Sequence, residues 1–203
     1  MNKSITIGLL VGLLSACGSG SEEDSEFSCP PTPIAIDVNT VDLSINDGAY
    51  QANSLIVFNE LTLDFETNGV PVYAKGNEYD PQQDYRTDCV TTPMIIGTNN
   101  SLTQFNIYST ADFNSALTAG TSLNQVFTVA SIDTGDFQTY YQNGEAPTLA
   151  QLQDSLPFDA PRYFTLKLNQ APEFESSHIF YIEIGIDEQQ ILLETTELLI
   201  SES

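Results

Sequence analysis

The residues of this chain that could carry chemistry are few: one histidine, three cysteines and 28 carboxylates among 203 residues. His178 follows Glu175, Ser176 and Ser177 and precedes an apolar stretch. An imidazole with its ordinary pKa near 6.5 could serve as a general base. The local sequence instead predicts an exposed residue at the mouth of a strand. No serine stands in a Gly-x-Ser-x-Gly elbow, so a serine triad lacks its usual strand-to-helix setting.

Metal chemistry is bounded in the same way. A zinc site needs several histidine or cysteine ligands, and one histidine with two pairing cysteines cannot supply them. Calcium takes carboxylates and carbonyls, and Asn77, Glu78, Asp80, Asp84 and Asp88 crowd the loop that ends at Cys89. Their spacing does not follow the EF-hand pattern. A solvated acidic loop is expected, with a calcium site as the alternative, and no metal or cofactor is assigned. Among 28 acids a close pair is unavoidable, so pairing alone does not signal glycoside hydrolysis. Tryptophan, the usual stacking platform for a sugar ring, is absent. Phe137, Tyr140 and Tyr141, beside Asn143 and Gly144, read either as core-facing anchors of a long loop or as a partner-contact site.

Lys3 precedes a ten-residue apolar run, Ile5 to Leu14, that closes on Leu14, Ser15, Ala16 and Cys17. A bilayer span needs roughly 20 apolar residues, so the run reads as a removable signal. The segment resembles the bacterial lipoprotein signal, in which a small residue precedes a cysteine that is acylated and becomes the new amino terminus. The resemblance implies three acyl chains on Cys17, more than the two signals that make anchoring stable. It also implies the outer membrane of a diderm bacterium, because Gly18 rather than Asp follows the cysteine. Ser21, Glu22, Glu23 and Asp24 read as a solvated tether, although they also resemble the acidic surface-export signal of some lipoproteins.

The expected organisation is therefore a signal over 1–16, a flexible acidic tether over 17–28 and a single domain over 29–203. Cys29 and Cys89 remain, an even number in a compartment that oxidises thiols, and should form a disulfide. Five Lys and Arg face 28 Asp and Glu, a net charge of −23. Lys3 leaves with the signal, so only Lys75, Arg86, Arg162 and Lys167 stay. Nucleic acid and anionic lipid headgroups are poor partners for such a surface, since phosphates are bound by neutralising them. The acidity fits a salty habitat, where screening relieves the repulsion among carboxylates. Collecting cations or a basic partner is the alternative.

The elements that would position these residues read as strands. Leu61, Leu63 and Phe65 alternate with Thr62, Asp64 and Glu66, the period of a half-wet strand. Asn68 and Gly69 ahead of Val70 to Ala74 predict a hairpin, with Pro71 pushing its second arm to an edge. Val41, Leu43 and Ile45 ahead of Asn46, Asp47 and Gly48 repeat the scheme.

Further strands are expected over Ser54 to Phe58, Pro93 to Ile96, Gln104 to Ser109, Gln125 to Ser131, Tyr163 to Leu168, His178 to Ile186 and Ile191 to Ile200. The last two form a hairpin through Asp187, and failed alternation after Ile191 suggests a bulge or burial on both faces. Thr148 to Ser155 leans to helix, and Ala111 to Leu117 to helix or loop. The fold expected is all-β, an antiparallel two-layer β-sandwich with one or two short helices.

Pro172 before a long strand, an acidic turn and a final strand rich in Thr and Leu resemble uncharacterised β-sandwich lipoproteins of gut and marine bacteria, which implies no particular activity. The function expected is that of a lipid-anchored envelope lipoprotein, a non-catalytic binding or assembly module. Its partners would be the membrane, through the anchor, and an envelope protein or glycan. A calcium-dependent carbohydrate-binding module or glycoside-active enzyme, with its site in the acidic loops, is the alternative.

Overall fold

Apolar residues at every second position can hide from water only if strands lay one face on another layer. The computed structural model describes residues 29–50, 54–83, 85, 89, 97–133, 146–173 and 175–202. Its strands are β1 (Ala35–Ile45), β2 (Leu55–Val57), β3 (Thr62–Val72), β4 (Gly97–Thr98), β5 (Ser101–Ser109) and β6 (Phe127–Ile132). They continue with β7 (Phe158–Asp159), β8 (Tyr163–Leu168), β9 (Ser176–His178), β10 (Phe180–Ile186), β11 (Gln189–Glu194) and β12 (Leu198–Ser201). A five-stranded sheet runs β4-β1-β3-β8-β6, and a four-stranded sheet runs β11-β10-β5-β7.

Aromatic rings join the two large sheets into an all-β sandwich. Phe65 of β3 meets Phe105 of β5 edge-on at 5.2 Å, and Phe127 of β6 meets Phe180 of β10 edge-on at 5.5 Å. Such pairs add about 0.5–1.5 kcal/mol each beyond the area they bury. One cluster of buried residues runs from Ile36 to Ile200.

A small third sheet, β2-β12-β9, lies at the joint where β9 leads into β10. Pairing is antiparallel except for β1 with β4 and β2 with β12. Parallel neighbours need a long crossover, and both pairs have one because their members are far apart in sequence.

Two sequence expectations are corrected here. Asn68 and Gly69 do not turn the chain: they lie inside β3, opposite Thr40 and Val38 of β1, where β1 bulges at Asn39. A Cβ on Gly69 would sit 1.9 Å from the Asp37 carbonyl oxygen, so this glycine permits close backbone approach instead of a turn. Pro71 is tolerated because Val72 accepts from the Ile34 N–H, which points the Pro71 nitrogen away from β1, beyond the stretch paired with β8.

The residues Ile191 to Ile200 are two strands, not one bulged strand. β11 pairs with β10, and the chain then crosses to the small sheet as β12. The Asn46–Gly48 turn ends β1 as expected, with φ of 49, 52 and 77° at its three residues, but the antiparallel partner of β1 is β3.

The other elements follow the sequence more closely. Helix α1 (Leu149–Gln153) starts on a capping box: Thr148 Oγ1 accepts from Gln151 N–H at 3.2 Å, and Gln151 Oε1 accepts from Thr148 N–H at 2.8 Å. Ala111 to Leu117 is a loop, because Asn114 Oδ1 takes the N–H groups of Ala116 and Leu117 and Asp112 Oδ1 takes that of Ala119. The expected strand at Pro93 to Ile96 lies outside the described residues.

Candidate functional site

His178 is fully buried, contrary to the exposed strand-end position expected of it. It stands opposite Leu198 of β12, two residues before the buried Phe180, so the inward alternation of β10 already includes it. Its ring stacks on Phe180 at 5.8 Å and 10° and faces Phe113 at 5.8 Å. Ser109 Oγ lies 2.7 Å from Nδ1 and Ser176 Oγ 2.6 Å from Nε2. Burial holds the imidazole below its usual pKa. A neutral ring has one donor and one acceptor nitrogen, so one serine donates to it and the other accepts. Ser109 Oγ also accepts the Ala111 N–H at 3.1 Å. A serine beside an imidazole is the beginning of a nucleophile–base pair. Here the nitrogen that a carboxylate would orient is held by a second serine.

In the acidic loop, Glu78 Oε1 accepts the Gly76 N–H at 3.0 Å, which holds the Glu78 carboxyl below its ordinary pKa. Asp80 Oδ1 accepts the Gln82 N–H, and the Tyr85 hydroxyl accepts the Asp80 N–H. Tyr79 and Tyr85 stack at 5.2 Å. These carboxylates fold the loop's own backbone. Among the described residues no group of three His, Cys, Asp or Glu side chains converges as metal ligands would. Asp84 and Asp88 lie outside the described residues, as do Cys17, Phe137, Tyr140 and Tyr141. Cys29 and Cys89 form the expected disulfide, with Cα atoms 5.8 Å apart.

The four-stranded sheet has a second, wet face that sequence reasoning did not single out. Register aligns Tyr108, Tyr181 and Glu194 in one row across β5, β10 and β11, and Asn106, Glu183 and Leu192 in the next. Gln104 and Gln190 flank Gly185 in a third row, where the Gln190 amide donates to Gln104 Oε1 at 3.4 Å. Glu183 Oε2 accepts from the Tyr108 hydroxyl at 3.2 Å and from the Gln104 amide at 3.4 Å. Partial burial and the neighbouring Glu183 carboxylate raise the Tyr108 pKa. Leu192 is 73% exposed and Tyr181 44%. The signal was present in the sequence, since Gln104, Asn106 and Tyr108 alternate with buried Phe105 and Ile107. Only the register of three strands gathers the rows.

One corner of this sheet is fixed by Asp187, at φ 50° in the β10–β11 turn. Its carboxylate accepts the Asn100 amide at 2.7 Å and the Ser101 N–H at 2.8 Å, and these bonds hold its pKa low.

Comparison with protein-family models, with curated proteins and with solved structures finds no significant match to this chain.

Proposed function

We propose that this chain is a lipid-anchored module of the cell envelope, held at the outer membrane of a diderm bacterium, which binds a partner through its β-sandwich and performs no chemistry of its own. The anchor reading is supported by the apolar run ending at Cys17, with Gly18 behind it. Binding is favoured over catalysis by one observation above all: the only histidine is sealed in the core with a serine on each ring nitrogen. A base so placed reaches no substrate.

Mass spectrometry of protein purified from its native host tests the anchor. An acylated Cys17 at the amino terminus is expected, and a Cys17→Ser variant should leave the membrane fraction with residues 1–16 still attached. An unacylated terminus, or full membrane retention of the variant, overturns the anchor reading. Turnover of an envelope polymer that His178→Gln abolishes without lowering the melting temperature would overturn the non-catalytic reading. The calcium-dependent alternative predicts a marked rise in melting temperature with millimolar calcium that matched sodium chloride does not reproduce.

A further inference from the structure

We propose that the outer face of the four-stranded sheet is the binding platform, and that its ligand is a neutral polysaccharide chain. This inference deepens the envelope-module reading and rests on it. Three features of the face argue for sugar.

The first is the alternation of ring and planar polar group. Tyr108 and Tyr181 are register partners on neighbouring strands, and in the adjacent row Asn106 and Glu183 stand beside Leu192. A pyranose presents C–H groups on its faces and hydroxyls around its rim. Tyrosine rings and Leu192 take the former; the latter fall to the Glu183 carboxylate and to the Asn106 amide nitrogen, the Asn106 oxygen being held by Gln153 and Asn124. Both contacts to Glu183 fall on Oε2, which leaves Oε1 for a ligand hydroxyl.

The second feature is charge. β5, β10 and β11 carry no Lys or Arg, while Glu183 and Glu194 point outward. A phosphorylated, sulfated or uronic-acid polymer would meet only repulsion, whereas a neutral chain meets none. The third is rigidity. The platform stands on strands whose opposite face, Phe105, Ile107, Phe180, Ile182 and Ile184, is buried against the other sheet. Ligand groups are therefore met by side chains whose backbone does not have to be ordered on binding. A protein partner is less well served, because a protein interface centres on a contiguous apolar patch. On β5, β10 and β11 the exposed large hydrophobic residues are Tyr181 and Leu192 alone.

The experiment uses the full chain in detergent, run by native affinity electrophoresis through gels containing laminarin, xyloglucan, galactomannan or soluble starch, with dextran sulfate as the anionic control. Retardation by at least one neutral polymer, and none by dextran sulfate, is expected. Tyr181→Ala and Glu183→Gln should each weaken that binding by about tenfold, the scale of one lost ring or hydroxyl contact. Both should keep the wild-type melting temperature, since Tyr181 is exposed and Glu183 half-buried. No retardation by any neutral polymer, or retardation untouched by both variants, overturns the proposal.

A photo-crosslinking residue at position 192 in the native host separates this failure from that of the module reading. Crosslinks to an envelope protein, with no neutral polymer bound, would retain the module and discard the sugar. Neither crosslink nor retardation would discard both.

Discussion

Nδ1 of His178 lies 2.7 Å from Oγ of Ser109, so a residue of the small sheet is bonded to a strand of the sandwich across 69 positions of sequence. The bond ties the two sheets at their joint, and burial of the ring beside Phe180 and Phe113 favours its neutral form. In the folded protein burial depresses the imidazole pKa, whereas the unfolded chain titrates near 6.5. As pH falls below about 6.5 the unfolded state takes up more protons than the native one. The stability contributed is thus complete above that value and is lost as pH drops towards the lowered native pKa. Melting temperature is expected to fall between about pH 7 and 5, ahead of most carboxylate titration. His178→Gln should melt lower at neutral pH and show a flatter profile in that window. Parallel profiles would assign the acid sensitivity to another group.

Gly69→Ala is expected to cost on the order of 2–4 kcal/mol, because its Cβ would fall 1.9 Å from the Asp37 carbonyl and force β1 and β3 apart. Gly97→Ala, where nothing lies within 4 Å of the added carbon, should be near neutral. Denaturant unfolding of the pair checks the claim, and equal midpoints would contradict it.

Reduction of Cys29–Cys89 should lower stability. The bond closes a loop with 60 positions between its ends, for which chain entropy suggests roughly 4 kcal/mol, less any native strain. Melting with and without reductant reads the effect. Cys29→Ser should reproduce it and make the protein indifferent to reductant.

Asn124 is buried, accepts from the Ile107 N–H at 3.0 Å and donates to the Phe105 carbonyl at 2.9 Å. Asn124→Leu leaves both backbone groups without their side-chain partner, a loss of about 1–3 kcal/mol for each. Because those groups belong to β5, hydrogen exchange should quicken at Ile107 before it does in β1. Unchanged exchange there would show that the amide is dispensable.

Where one layer decides the pattern, the sequence was legible. Tyr163–Leu168 is read at its observed bounds because β8 lies between β3 and β6 and alternates cleanly. The helix at Leu149 was legible because its signals are local, Pro147 just ahead of it and Leu149 and Leu152 three apart, and the capping box that starts it is local too. Gly69 was misread because two reasons for a glycine, a turn and a close strand approach, leave the same letter. The break after Glu194 was hidden because both halves are strands and only the destination sheet differs. His178 looked exposed because its neighbours are polar, yet Ser109, one of its two ring-nitrogen partners, comes from a distant strand. The rows of the outer face depend on pairing among β5, β10 and β11, which no single segment encodes.

The disulfide also decides how the domain would bear a load. Cys29 precedes β1 and Cys89 precedes β4, and these two strands run parallel, with Ala35 beside Gly97. A pull on the chain ahead of Cys29 would otherwise peel β1 from β3 one rung at a time. Through the sulfur bridge a pull that reaches Cys29 is shared with Cys89, so the leading end of β1 would not bear it alone.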